Sequence, residues 1–300
     1  MNKRLLLLIL ASFFVTNLIA DPVPPARNKD GSLVNGILEA QFDPSNGLFP
    51  LPNNLLYPTA PPIDLTTNWR PSDPNNYADP RVALSSLDGF STTEKWIANF
   101  TQNLGGSPAI IQPGDIDPTS VVPGKSVRVF EVTTPSYPYL GVAGVVRELT
   151  PIAEFVAVAP GGGVLAIVPT SPLKELTTYM AVLTNDIRDT NGNDATPSQT
   201  YGLAKWRTPL IDENGNSTFP LLPDESAQAL EPLRLATMSM ELSAASAGVN
   251  PDDIVLSWTV RTQSITPTIK LMRSIAQPAP TILAPVSYTH LTLPTKVLVW

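Results

Sequence analysis

The sequence predicts a mainly β chain: an Ig-like antiparallel β-sandwich with N-terminal elaborations and one inserted α-helix. Three observations carry that expectation. Short β-branched apolar runs recur between residues 108 and 208 with only turn-length spacers between them. The spacers are rich in Pro, Asn, Asp and Gly; Pro presets φ, and Asn and Gly tolerate positive φ, so these are turns. One long stretch, 223–249, shows helical periodicity. Strands joined without intervening helices favour an antiparallel sandwich over a parallel α/β sheet.

The elements follow in order. "MNKRLLLLILASFFVTNLIA" places Lys3 and Arg4 before an apolar run and a small residue, Ala20, before Asp21. That is the layout of a secretory signal peptide, residues 1–20, and implies a secreted or cell-surface protein. Residues 21–36 lack periodicity and read as a linker. "DPRVALSSLDGFS" predicts a short helix starting at Asp79, with Pro80 at its first position and Gly89 at its end. "KWIANF" reads as a strand. "SVRVFEV" alternates, with Val127, Val129 and Glu131 on one face and Arg128, Phe130 and Val132 on the other. "EFVAVAPGGGVLAIVP" predicts a hairpin turning at its glycines, and Thr177–Thr184 predicts a strand running into an Asp/Asn/Gly loop. Leu230, Leu233, Thr237, Met240 and Ala244 fall at helical spacing; Pro232 sits early in that helix or kinks it, and Gly248 stops it. "DIVLSWTVRTQSI" supplies a closing strand.

Composition excludes several function classes. Charged residues make up 15% of the chain, the net charge is −7, and no basic patch stands out, so no nucleic-acid partner is expected. With no cysteine, the chain has no disulfides, thiol chemistry, thiolate metal sites or lipidation at Cys.

The catalytic motifs are missing too. A serine-hydrolase elbow needs G-x-S-x-G so that small residues let a strained turn expose the serine. The nearest stretch, "GGSPA" at Gly105–Ala109, has Ala at the last position and a proline where an oxyanion-hole N–H is needed. The chain's single histidine, His290, lies in a tail whose composition departs from what precedes it. "PGGGV" at Pro160–Val164 lacks the lysine and helix of a phosphate loop and reads as a turn. Asp115, Asp117, Asp252 and Asp253 stand beside prolines and read as caps. The aromatics Trp69, Tyr77, Trp96, Tyr137, Tyr139, Trp206 and Trp258 are scattered and read as core.

One loop could hold a cation. Asp189, Asn191 and Asn193 in "DIRDTNGND" offer oxygen ligands at alternate positions, as a calcium loop does. Asp194 stands where an EF-hand has Gly, however, and the closing Glu is missing. "DENGNS" at Asp212–Ser217 is similar and weaker. The other reading is a turn closed by Asx hydrogen bonds.

Several blocks then carry a resemblance. "FDPSNGLFPLPNNLLY", "DPRVALSSLDGFST", "IDPTSVVPGKSVRVFEV", "LAIVPTSPLKELTTYMAVLTNDIRDTNGN" and "AGVNPDDIVLSWTVRTQSI" together resemble the N-terminal domain of secreted bacterial virulence-factor lipases, over about 37–265. The sandwich proper is expected over about 108–265, and 266–285 as a linker toward a catalytic domain. The resemblance implies a parent lipase or phospholipase that cleaves lipid carboxylic esters, with its Ser-His-Asp machinery in a C-terminal α/β-hydrolase domain. This region would be its non-catalytic accessory, with the hydrolase domain as partner and a lipid or host surface as a further contact. "SYTHLTLPTK" is similar to translated sequencing-adapter read-through, so 286–300 are expected to be foreign and His290 to have no role. The alternative is a free-standing extracellular Ig-like binding or adhesion module. An uncovered apolar patch favours the accessory domain; a polar surface with one aromatic groove favours the module.

Overall fold

The computed structural model describes residues 34–276, except 35, 58–72, 74, 77, 81, 83–86, 106–109 and 136–138. The signal peptide, the 21–33 part of the linker, Trp69, Tyr77, Ser107, Tyr137, His290 and the 286–300 tail lie outside the described residues.

Ten strands among the described residues form two sheets. They are β1 (Leu38–Ala40), β2 (Trp96–Asn103), β3 (Ile111–Pro113), β4 (Val127–Thr133), β5 (Gly144–Glu148), β6 (Phe155–Gly161), β7 (Val164–Pro169), β8 (Thr178–Thr184), β9 (Ala195–Pro197) and β10 (Ile254–Arg261). One sheet runs β6-β7-β2-β1-β9, with β3 also on β2; the other runs β10-β8-β4-β5. Pairings are antiparallel except β1 with β9, which is parallel.

Alternation explains both faces. Val127 and Val129 of β4 join Trp96, Phe100, Leu165, Ile167 and Trp258 in the core between the sheets. Phe130 and Val132, one residue out of phase, point to the other side of the same sheet. There they meet Met240 and Ala244 of helix α2 (Asp224–Ser246). The four-stranded sheet is therefore covered on both faces, which is why β8 is buried at every position. A strand buried on both faces reads as an unbroken apolar run, as "TYMAVLT" does apart from its threonines. Removing each large aromatic from water contributes roughly 1.5–3 kcal/mol.

The glycine hairpin forms as expected. Gly163, at φ 71°, lets the turn close against β2: a Cβ there would stand 2.4 Å from the Phe100 carbonyl oxygen. The Phe100 N–H donates to the Gly163 carbonyl at 2.7 Å.

The structure departs from the sequence expectation in three places. The sandwich begins at β1, not near 108, and β2 lies inside its larger sheet. The reason is that β1 reaches β2 and β9, and β2 reaches β7, by pairing over long sequence distance, which no local pattern announces. A second helix, α1 (Gln199–Ala204), accompanies α2; its six residues are too few to show a period. The stretch expected to be a linker holds helix α3 (Thr266–Ala276). Pro232 lies inside α2, in its first half, as the sequence allowed. Of the helix expected from Asp79, Pro80 and Val82 are helical and the remainder falls largely outside the described residues.

Candidate functional site

The apolar stripe of α2 is buried unevenly along its length. Its C-terminal half, Thr237, Met240 and Ala244, is buried. In its N-terminal half, Leu230 and Leu233 are partly buried, Leu233 against the main core, and both line a groove of ≈ 740 Å³. Leu55 and Leu140 line the groove too, and α1 contributes Leu203. Pockets of this size hold small ligands.

Local hydrogen bonds fix the groove's frame. The Asn54 side chain is buried; its amide donates to the Tyr139 carbonyl at 3.0 Å and its Oδ1 accepts the Arg261 N–H at 2.8 Å. That staples the 54–56 turn to the end of β10. Ser198 caps α1 through the Tyr201 N–H and donates its hydroxyl to the Phe42 carbonyl at 2.7 Å, so α1 is tied to the segment entering the groove. Asp43 sits at the rim. Burial raises its carboxyl, but hydrogen bonds from Ser45 and Asn46 outweigh that and leave it below the usual range.

Behind the groove lies a chamber of ≈ 20 Å³, which shares Leu55, Leu140, Leu233 and Ala236 with it. Asn53, Thr237 and Trp258 also line the chamber.

A buried polar cluster stands under the same helix. Lys205 Nζ lies 3.4 Å from Glu241 Oε1 and donates to the Pro251 and Ile254 carbonyls at 2.7 and 2.6 Å. The Tyr201 hydroxyl is 2.7 Å from Ser257 Oγ. Burial pushes the Glu241 carboxyl up to about 7, only partly offset by Lys205, and burial likewise lowers the Lys205 ammonium. A serine, a tyrosine and a lysine together can suggest nucleophilic chemistry. Here the Ser257 hydroxyl is taken by Tyr201 and the lysine is engaged by two carbonyls, although Ser257 lines the chamber beside Thr237 and Trp258. The cluster ties α1, α2 and β10 together.

At the other end, α3 presents an apolar arc. Ile269, Leu271, Met272 and Ile275 are 57%, 61%, 64% and 74% exposed. At 3.6 residues per turn they share about half the circumference, with Lys270 and Arg273 opposite. The helix start is anchored: Glu175 Oε2 accepts the Ile265 and Thr266 N–H groups, each at 2.7 Å.

The residues singled out from sequence are placed as follows. Asp189 Oδ1 accepts the N–H groups of Asn191 and Asn193 at 2.9 and 2.8 Å, and Oδ2 accepts Asn193 Nδ2 at 2.7 Å. Asp212 repeats the pattern with Asn214 and Asn216. No group of three or more His, Cys, Asp or Glu side chains suited to a metal occurs among the described residues. Asp117 caps a 3-10 turn, as expected. Asp115 accepts the Thr190 hydroxyl and Asp252 pairs with Arg207. Trp96 and Trp258 are core; Trp206 and Tyr139 are half-buried, against Phe219 and Arg261 respectively. Sequence reasoning missed Asn53, Lys205 and Glu241. Glu241 had a signal: it lies four residues after Thr237, on the apolar face of a predicted helix.

Two sheets with a helix laid against the four-stranded one, bearing an apolar groove, are the frame the family comparison completes. Residues 59–281 match the family of bacterial virulence factor lipase N-terminal domains, and the chain belongs to that family. No curated protein and no solved structure matches it. No helix among the described residues is long and apolar enough to cross a membrane.

Proposed function

We propose that this chain is the non-catalytic accessory domain of a secreted lipid-ester hydrolase, and that α3 docks the C-terminal hydrolase domain. Its membership in the lipase N-terminal family supports the association. The observation that carries the docking is the uncovered arc of Ile269, Leu271, Met272 and Ile275, on a helix anchored at its start by Glu175. The polypeptide leaves the sandwich through this helix, so whatever follows α3 starts beside that arc. Four large apolar side chains in one patch are a contact surface. The signal peptide of residues 1–20 and export from the cytoplasm belong to the same proposal. A second reading, a free-standing extracellular Ig-like binding module, is favoured by the groove along α2.

The test uses the full-length parent. Ile269→Lys with Ile275→Lys is expected to release the hydrolase domain to limited proteolysis as a separate fragment, while leaving the sandwich's own melting temperature within about a degree, as exposed substitutions do. A variant as protease-resistant as the wild type would refute the docking. Sandwich and hydrolase domain that separate equally easily in both proteins would favour the module.

A further inference from the structure

The groove along α2 ends on polar groups that the fold leaves unpaired. Asn53 Nδ2, Thr237 Oγ1 and Trp258 Nε1 are buried and have no hydrogen-bond partner among the described residues. All three residues line the ≈ 20 Å³ chamber behind the groove. Leaving such a group unpaired costs about 1–3 kcal/mol. Three around one chamber point to something that pairs them.

Their chemistry sets what fits. The amide nitrogen and the indole nitrogen only donate, and the hydroxyl donates as well, so the complement is an acceptor. The chamber has room for one oxygen-sized group. The groove beyond is walled by Leu55, Leu140, Leu203, Leu230 and Leu233, which suit an aliphatic chain. No lysine, arginine or histidine lines either space, and Asp43 stands at the rim. A carboxylate buried in the chamber would find no counter-charge there, so an anionic head is disfavoured.

We propose that the groove binds a single-chain neutral amphiphile: an aliphatic chain carrying an uncharged oxygen acceptor, as in a long-chain alcohol or an acyl ester. The oxygen sits among Asn53, Thr237 and Trp258, and the chain lies between α2 and the Leu55–Leu140 wall. This goes beyond the accessory reading and stands or falls separately, since that reading rests on α3.

The test is titration of the ¹⁵N-labelled chain with octan-1-ol, methyl octanoate and octanoate, followed at the Asn53 side-chain amide and the Trp258 indole N–H. Octan-1-ol and methyl octanoate are expected to shift both resonances saturably, with octanoate at least about tenfold weaker. Tighter binding of the ester would identify an acyl ester as the source, and the reverse a long-chain alcohol. Thr237→Val, nearly isosteric, should weaken the neutral ligands roughly fivefold, the loss of about one hydrogen bond. Ala229→Trp, at an exposed position on the groove, should block binding without disturbing the core. Several results would overturn the assignment: no saturable shift, octanoate bound as tightly as the alcohol, shifts confined to α3, or a resident water that keeps the three groups paired while added ligand changes nothing. Concentration-dependent dimerisation with no ligand effect would give the groove to a second copy of the chain and overturn it equally.

Discussion

Glu241 shows how burial and charge compete at one side chain. Its carboxyl lies under α2, faced by Lys205 and Tyr201 from α1 and its trailing end, and by Ser257 from β10, with Arg207 further off. Two outcomes are open. If the ion pair with Lys205 dominated, removing the charge would cost about 3–5 kcal/mol. If desolvation dominates, the neutral form is preferred, and burial pushes the carboxyl in that direction, up to about 7. The linkage sign follows. A group whose folded value exceeds its unfolded one of about 4.5 contributes stability that is fully present below pH 4.5. That stability is lost as pH rises through 7. At about 1.4 kcal/mol per pH unit the loss by pH 8 is of order 3 kcal/mol, or several degrees in melting temperature. Glu241→Gln, a neutral isostere, is therefore expected to melt with the wild type at pH 5 and above it at pH 8. A variant that melts lower at both would show that the pair, not desolvation, governs the site.

At the scale of elements, the two D-x-N-G-N loops deserve comparison. "DTNGN" at 189–193 and "DENGN" at 212–216 close with the same bonds: the aspartate takes the N–H groups two and four residues on, and the last asparagine's amide. In both, the fourth-position glycine N–H donates to the aspartate carbonyl at 3.0 Å. Gly192 and Gly215 hold φ of 85° and 82°, the left-handed region that glycine adopts without strain. Both carboxylate oxygens of Asp189 thus already have partners from the loop itself. Removing that acceptor with Asp189→Ala should destabilise the chain by about 1–3 kcal/mol, read as a lowered urea midpoint. Millimolar calcium against chelator is expected to leave the wild-type midpoint unchanged; a clear rise would give the loop an ion. These loops were legible because their chemistry is local. So were β4, β8, β10 and the glycine hairpin, where alternation or continuous apolarity within seven or eight residues fixes the strand. The parallel β1–β9 pair was not legible, since three-residue strands over 150 residues apart carry no joint pattern. Nor was α3: its Thr-Pro start and short length hid an apolar arc that is clear once the helix is known. The groove was half legible. Leu230 and Leu233 were marked as stripe, but only the folded chain brings Leu55, Leu140 and Leu203 to face them.

For the molecule as a whole, the question is whether this architecture can cleave an ester at all. Acyl transfer needs a hydroxyl or thiol nucleophile within reach of a base, and oxyanion donors beside it. The chain has no cysteine. Its single histidine, His290, lies outside the described residues. The Tyr201–Ser257–Lys205–Glu241 cluster gathers reactive types, yet its lysine is bound to two carbonyls and its serine to the tyrosine. The groove above it is apolar and offers unpaired donors, which suit holding a neutral oxygen rather than attacking a carbonyl. On the accessory reading proposed above, a bound ester stays intact. The purified chain spanning residues 21–285 is therefore expected to hydrolyse p-nitrophenyl octanoate no faster than a boiled control, even at concentrations that saturate the groove. Turnover above that control that survives Ala229→Trp would come from a site the fold does not show; turnover abolished by it would make the groove catalytic and require a base that none of its lining residues other than Asp43 could supply.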